Sequence, residues 1–224
     1  MKNKVTVVIP TKDEERSIGE VIRAVRPYCS EIIVVDGHSK DNTRKIGESL
    51  GAKVFLDDGK GKGAALRIGA QKASNPILVY IDADGSHDPK DIPKLVKPII
   101  EKKADLVLGS RMRGGSDELH GTFYEFIKLM GSSIITLAIN YRFGKSITDY
   151  QNGFRAIRKN VMNSIGTTEN IFTIEQEMAM KCLKKGYKVV EVPTHEYARK
   201  YGASHIKLWK VSFRYIWSVI KNLI

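Results

Sequence analysis

Five short apolar runs, each stopped by a cluster of polar or charged residues, constrain this chain more than any other feature. They cover residues 5–9, 32–35, 52–56, 78–81 and 105–108. A continuous apolar run of this length is expected of a strand covered on both faces. Between the first four lie helix-compatible stretches at about residues 17–25, 41–50 and 64–73. Strand–helix alternation of this kind predicts an α/β fold, a mostly parallel sheet with helices on both faces. The polar clusters after the runs sit where open sheets of this type bind ligands.

The fourth run, ending in Asp82-Ala83-Asp84-Gly85, is the most telling. In an extended strand, carboxylates two residues apart face the same way. They repel each other unless a cation stands between them. A hard divalent ion, Mg²⁺ or Mn²⁺, suits oxygen ligands and keeps open positions for phosphate oxygens. Asp82 and Asp84 are therefore candidate metal ligands of a diphosphate site. The plainer alternative is an aspartate-rich turn built on Gly85 and Pro89.

The other clusters carry weaker signals. Glu14 and Asp36 follow the first and second runs, where a carboxylate can accept from a ribose or a base, or simply cap a helix. Gly61-Lys62-Gly63 opens a helix and suits either an anion on backbone N–H groups or a flexible turn. It lacks the Ser or Thr of the nucleotide phosphate loop. Arg111 ends the fifth run, where a guanidinium can meet phosphate bidentately or stand in solvent.

The second half reads differently. Residues 123–141 are mostly apolar and helix-compatible, and 148–155 form a polar turn leading to Ala156-Ile157. Residues 172–184 should be helical, 188–192 a strand stopped by Pro193, and 197–204 a basic loop. A final helix is expected from about His205 to Leu223, with Lys207, Lys210, Arg214, Ser218 and Lys221 on one face. Trp209, Phe213, Ile216, Ile220 and Leu223 lie on another, a pattern suited to a membrane interface, or to packing on the same domain with a solvated basic edge.

Composition limits the classes. The 224 residues suffice for one sizeable core. A net charge of +12 favours anionic partners. No helix-turn-helix, zinc finger or RNA-binding aromatic motif accompanies that charge, so nucleic acid is not expected. Cys29 and Cys182 offer no disulfide framework and fit a reducing cytoplasm. Met1-Lys-Asn-Lys runs straight into a strand, so no secretory leader is expected. The longest uncharged run, 129–141, falls short of the ~20 residues that span a bilayer.

The order of the motifs resembles glycosyltransferase family 2, and within it the dolichyl-phosphate mannose synthase-like group. The resemblance rests on Val8-Ile9-Pro10-Thr11-Lys12-Asp13-Glu14-Glu15, on Val34-Val35-Asp36-Gly37-His38-Ser39-Lys40-Asp41-Asn42-Thr43, and on the stretch from Lys60 to Gly69. It continues through Asp82-Ala83-Asp84, Leu108-Gly109-Ser110-Arg111, Thr148-Asp149…Gly153-Phe154-Arg155-Ala156, Glu191-Val192-Pro193 and Arg199…Gly202-Ala203-Ser204. It implies a single Rossmann-like domain of the GT-A type over residues 1–204, with a nucleotide half to about residue 115, and an appended amphipathic helix over 205–224.

The resemblance also implies roles. Pro10, Lys12, Glu14, Val35, Asp36 and Lys62 would line the nucleotide-sugar, and Asp82, Ala83 and Asp84 the ribose and the metal-bound diphosphate. Arg111 would face the sugar or acceptor phosphate, Arg199 the diphosphate, and Asp149 the acceptor. Asp149 would orient a phosphate acceptor or deprotonate a hydroxyl. Relatives often carry a second aspartate where Gly37 stands, a glutamine at Ser86 and a lysine at His205, counted here as a nucleotide-sugar residue. The implied activity is inverting, Mg²⁺- or Mn²⁺-dependent hexose transfer from GDP-mannose or a UDP-sugar to a polyprenyl phosphate, at the cytoplasmic face of a membrane. Transfer to a saccharide hydroxyl, or a nucleotidyltransferase on the same sheet, are the alternatives.

Overall fold

The computed structural model describes residues 2–118, 123–199, 201 and 208–223. Seven strands form one sheet: β1 (Val5–Thr11), β2 (Glu31–Asp36), β3 (Lys53–Leu56), β4 (Ile77–Tyr80), β5 (Leu106–Ser110), β6 (Arg155–Arg158) and β7 (Val189–Pro193), in the order β3-β2-β1-β4-β6-β5-β7. All neighbours run parallel except β6, which is antiparallel to both β4 and β5. The mostly parallel sheet agrees with the sequence reading. The reversed strand β6 does not follow from it, because Arg155-Ala-Ile-Arg158 is charged at both ends and carries no strand-like apolar run.

Side-chain alternation along the strands feeds two cores. Val5, Val7 and Ile9 of β1 and Ile32 and Val34 of β2 face one side, with α1 (Ile18–Val25) and α4 (Ile92–Ile100). Helix α1 buries Ile18, Val21, Ile22 and Val25, the i, i+3, i+4, i+7 stripe of an amphipathic helix. Val8, Ile33 and Val35 face the other side, against α3 (Lys62–Lys72), α7 (Lys159–Ser164) and α8 (Ile174–Lys184). A Cβ at Gly69 of α3 would stand 2.3 Å from Val8 Cγ1, so the helix lies flat on the sheet only with glycine there. Helix α2 (Thr43–Ser49) flanks α1.

Between β5 and β6 the chain forms the short α5 (Arg111–Gly114) and the long α6 (Phe123–Phe143). Helix α9 (Leu208–Leu223) packs on α8 and α6. The expected start of that helix at His205 lies outside the described residues. Cys29 and Cys182 are both buried and unpaired. Among the described residues no helix is long and apolar enough to cross a membrane.

Candidate active site

The carboxyl ends of β1, β2 and β4 open into a cleft of about 660 Å³, a size that suits a small organic ligand. Pro10, Lys12 and Glu14 line it at and just past the end of β1, Val35 and Gly37 at and just past the end of β2, and Asp82, Ala83 and Asp84 after β4. Lys62 enters from α3 and Arg199 from beyond β7. The structure thus gathers residues up to 189 positions apart, from Pro10 to Arg199, into the one cleft the sequence reading anticipated.

Arg111, also expected at the nucleotide-sugar, does not line the cleft, and neither does Asp36. Its side chain is fully buried, accepting from the Ser39 N–H at 2.8 Å and the Ser39 hydroxyl at 2.5 Å, with Arg44 Nε at 3.7 Å. The loop after β2 folds back over the strand end and consumes the carboxylate as its anchor. This corrects the expectation of a nucleotide contact. A carboxylate reaches the cleft from β3 instead: Asp57 lines it, 3.5 Å from His38 Nε2. A Cβ at Gly37 would sit 3.6 Å from Asp57 Oδ2, so Asp57 fills the region where relatives often carry the second aspartate. The Asp57-Asp58-Gly59 cluster after the third run offered the signal, by the same strand-end rule that picked out Glu14.

The paired aspartates sit in a turn rather than in the strand, since β4 ends at Tyr80. Each carboxylate already faces a cation. Lys62 Nζ is 2.6 Å from Asp82 Oδ1 and 2.8 Å from Glu175 Oε1. Arg199 Nε is 3.1 Å from Asp84 Oδ2 and 3.3 Å from Glu118 Oε1. The Ser86 N–H and hydroxyl both donate to Asp84 Oδ1. Burial opposes the charge on Asp82, but Lys62, His87 and Arg199 outweigh it and hold the carboxyl below its ordinary range. Burial likewise opposes the charge on Lys62, and Asp82 and Glu175 hold it above the usual lysine range.

This donor set fits a hard divalent ion: oxygen ligands, adjacent, in a place that already accommodates positive charge. Among the described residues no third His, Cys, Asp or Glu converges with them. Phosphate oxygens and water would complete the shell, as Mg²⁺ commonly requires.

Helix α3 uses its glycines for packing. Gly63 N–H donates to Asn170 O at 2.8 Å, and a Cβ at Gly63 would stand 2.2 Å from Glu169 O. That N–H is therefore occupied, which disfavours an anion on the backbone there. Arg67 ties the same segment down through Glu169 O at 2.5 Å. This contact brings Ile171 and Phe172 to the rim of the cleft, a long-range consequence with no local sequence signal. His87 was also missed. It stacks on Phe154, with ring centroids 5.1 Å apart, and its Nε2 lies 3.9 Å from Asp82.

Beside the cleft stands a second cluster. Arg111 Nε donates to Asp149 Oδ2 at 2.7 Å and its Nη2 to Oδ1 at 3.1 Å; Glu196 lies 3.4 Å from Nη1. The backbone N–H groups of Gln151 and Asn152 donate to Asp149 Oδ1, each at 3.1 Å. Asp149 is 2% exposed, and its two oxygens are fully engaged. Burial raises its carboxyl, but Arg111 more than compensates and holds it below the usual range. Both Asp149 oxygens thus accept hydrogen bonds, Oδ2 from Arg111 and Oδ1 from Arg111 and the two backbone N–H groups. Lys128 of α6 lies in the same field, its ammonium disfavoured by burial and by Arg111 and supported by Glu196 and Glu118. Among the described residues it makes no ion pair. His205 lies outside the described residues.

A mostly parallel sheet, a cleft at its carboxyl edge and an Asp-x-Asp turn opposite basic side chains define a glycosyltransferase domain of the GT-A type. The chain belongs to glycosyl transferase family 2, whose family profile matches residues 6–166. It is 32% identical to glycosyltransferase AglJ of Haloferax volcanii over 201 residues, covering 89% of this chain and 65% of that one. It is also 32% identical to the dolichol-phosphate mannosyltransferase of Pyrococcus furiosus over 222 residues, covering 95% of this chain and 62% of that one. It thus spans somewhat under two thirds of the length of these two relatives. The fold matches glucosyl-3-phosphoglycerate synthase from Mycobacterium tuberculosis, solved with Mn²⁺, UDP and glucosyl-3-phosphoglycerate, at a TM-score of 0.80 and 21% identity over 99% of this chain and 80% of that one.

Proposed function

We propose that the chain transfers a hexose, with inversion, from a nucleoside diphosphate sugar to a polyprenyl phosphate. GDP-mannose is the favoured donor, with a UDP-sugar as the other candidate. The observation that carries the acceptor class is the state of Asp149. A hydroxyl acceptor needs a general base, and both buried carboxylates of the cluster beside the cleft are engaged, Asp149 by Arg111 and two backbone N–H groups and Glu196 by Arg111 and the Ser116 hydroxyl. A phosphate monoester is already ionised near neutrality and needs cations rather than a base. Arg111 and Lys128 supply them. The mannosyltransferase relative supports the same acceptor chemistry and favours mannose.

On this reading Lys12, Glu14 and Asp57 hold the nucleoside, and Asp82 and Asp84 would hold a divalent ion, which would supply positive charge to the diphosphate leaving group. Arg199 exchanges its contact with Asp84 for the diphosphate as negative charge builds there. Arg111, oriented by Asp149, and Lys128 aim the acceptor phosphate at the sugar. The protein works as a peripheral enzyme at the cytoplasmic face of a membrane, with α9 at the surface.

The test is a thermal-shift screen with Mn²⁺ or Mg²⁺ and GDP, UDP, GDP-mannose or UDP-glucose, beside Asp84→Ala. A metal-dependent rise with one nucleotide, lost in the variant, is expected. Radiolabelled transfer from that donor to polyprenyl phosphate follows. Turnover on soluble saccharides with none on the lipid would overturn the acceptor assignment.

A further inference from the structure

We infer that, within the donor cleft proposed above, Asp57 at the carboxyl end of β3 reads the nucleobase and selects guanine over uracil. This role rests on that donor reading. In the order β3-β2-β1-β4, three strand spacings, about 14 Å, separate β3 from the strand that leads to Asp82 and Asp84. The cleft extends from those aspartates across the ends of β1 and β2 to Asp57. A nucleoside diphosphate whose phosphates meet Asp82 and Asp84 therefore lays its base toward β3. Lys12, Gly37, His38, Asp57 and Gly59 line the cleft there.

Asp57 is held from three directions. Its N–H donates to Asp36 O at 2.9 Å, which extends the pairing of β2 with β3 one residue past the strand. His38 lies at φ +60°, in the left-handed region uncommon outside glycine. Its Nε2 stands 3.1 Å from Asp57 O and 3.5 Å from Oδ1. A carbonyl oxygen only accepts, so that nitrogen carries the proton. The Gly59 N–H donates to Oδ1 at 2.8 Å. Among the described residues no hydrogen bond reaches Oδ2. Gly37 keeps the space before that oxygen open, since a Cβ there would stand 3.6 Å from it. The Asp57 side chain is only 4% exposed, and a buried carboxylate oxygen without a donor is costly until a ligand brings one.

Base chemistry decides which ligand does. Guanine presents N1–H and its exocyclic N2 amino group side by side, two donors that match two carboxylate oxygens. A carboxylate has about four lone-pair sites, so Oδ1 can accept a second bond beside that of Gly59. Uracil presents one N3–H between two carbonyl oxygens. Opposite Asp57, one of those carbonyls would face an acceptor inside a water-poor site, which works against that base.

The experiment is titration calorimetry of the full chain with GDP, inosine diphosphate and UDP in the presence of Mn²⁺. Inosine diphosphate lacks only the N2 amino group of GDP. Affinity should fall in the order GDP, inosine diphosphate, UDP, with at least ~10-fold between the first and the last. Asp57→Asn turns one acceptor into a donor, which opposes guanine and complements the N3–H and adjacent carbonyl of uracil. GDP affinity should then drop at least ~10-fold while UDP affinity holds or rises, a crossover that a merely structural loss would not give. Asp84→Ala should weaken all three nucleotides alike and keep their order. UDP bound as tightly as GDP, inosine diphosphate bound as tightly as GDP, or equal losses of GDP and UDP in Asp57→Asn would each overturn the inference. The wild-type order decides even where Asp57→Asn does not fold. No binding of any nucleotide sinks the donor cleft and the role of Asp57 with it, whereas binding in the wrong base order sinks the role of Asp57 alone.

Discussion

Replacing Lys62 by methionine removes a cation from between the buried Glu175 and the half-buried Asp82. Its ammonium lies 2.6 Å from Asp82 and 2.8 Å from Glu175, and its side chain is 12% exposed. Removing one partner of such a buried pair costs about 3–5 kcal/mol, because a charge is left uncompensated. For a domain of this size each kcal/mol shifts the melting temperature by about 2–4 °C, so Lys62→Met should melt about 6–20 °C below the parent. The pH dependence has a definite sign. The raised Lys62 value means its contribution is complete below the ordinary 10.5 and disappears as pH rises through its folded value. The depressed Asp82 value means its contribution is present above the ordinary 3.8 and lost as pH falls through its folded value. At pH 7 the penalty is therefore seen in full, and it shrinks toward acid as Asp82 of the variant takes up a proton. Denaturant melts at several pH values measure this. Adding Glu175→Gln should restore at least ~1 kcal/mol, since the uncompensated charge is then reduced. A single variant costing under ~1 kcal/mol at pH 7, or a double variant no better than the single, would refute the reasoning.

Gly153→Ala tests the same corner by shape. The new Cβ would meet Asp82 Oδ2 at 2.7 Å and Lys62 Nζ at 2.9 Å, so metal-dependent nucleotide affinity should fall at least ~10-fold while circular dichroism stays native; unchanged affinity by calorimetry would remove Asp82 from the site. Asp149→Asn should lower kcat for lipid-phosphate transfer more than ~10-fold by releasing Arg111, without moving the pH optimum as loss of a general base would. Far from the cleft, burial opposes the charge on Glu31, but Lys53, Ser74 and Thr6 hold its carboxyl down to about 2. Glu31→Gln should cost about 3 kcal/mol at most at pH 7. That cost should vanish as pH drops from the ordinary 4.5 through about 2, which acid titration of stability reads directly.

What the chain disclosed in advance follows the range of the forces involved. Strands buried on both faces leave continuous apolar runs, so β1, β2 and β4 and their polar stops were legible, and with them Glu14, Asp82 and Asp84, whereas Lys12 was marked only by the family resemblance. Strand β6 was not, since its environment is set by β4 and β5 and by the fully buried Arg155, whose guanidinium donates to carbonyl oxygens of Tyr150 and Glu175. The fate of Asp36 turned on whether Ser39 folds back to meet it, a choice of loop conformation that no periodicity encodes. Ile171 and Phe172 reach the cleft because α3 docks on residues 169–170, a hundred positions away in sequence. The apolar face of α6 was visible only as a helix-compatible run; its exposure became apparent once α8 and α9 were seen to cover just one side.

The reversed strand β6 has a consequence for how this fold can diversify. Because β6 runs against its neighbours, the chain leaves the carboxyl edge of the sheet after β5 and returns to that same edge at Arg155. Everything from Arg111 to Phe154 is thus a cassette hung from one edge, entering and leaving beside the donor cleft. Its length and composition can vary without altering the registers of β1, β2, β3 and β4. On the function proposed above, one nucleotide-binding half could therefore be paired with many different second substrates by exchanging a single contiguous stretch of gene.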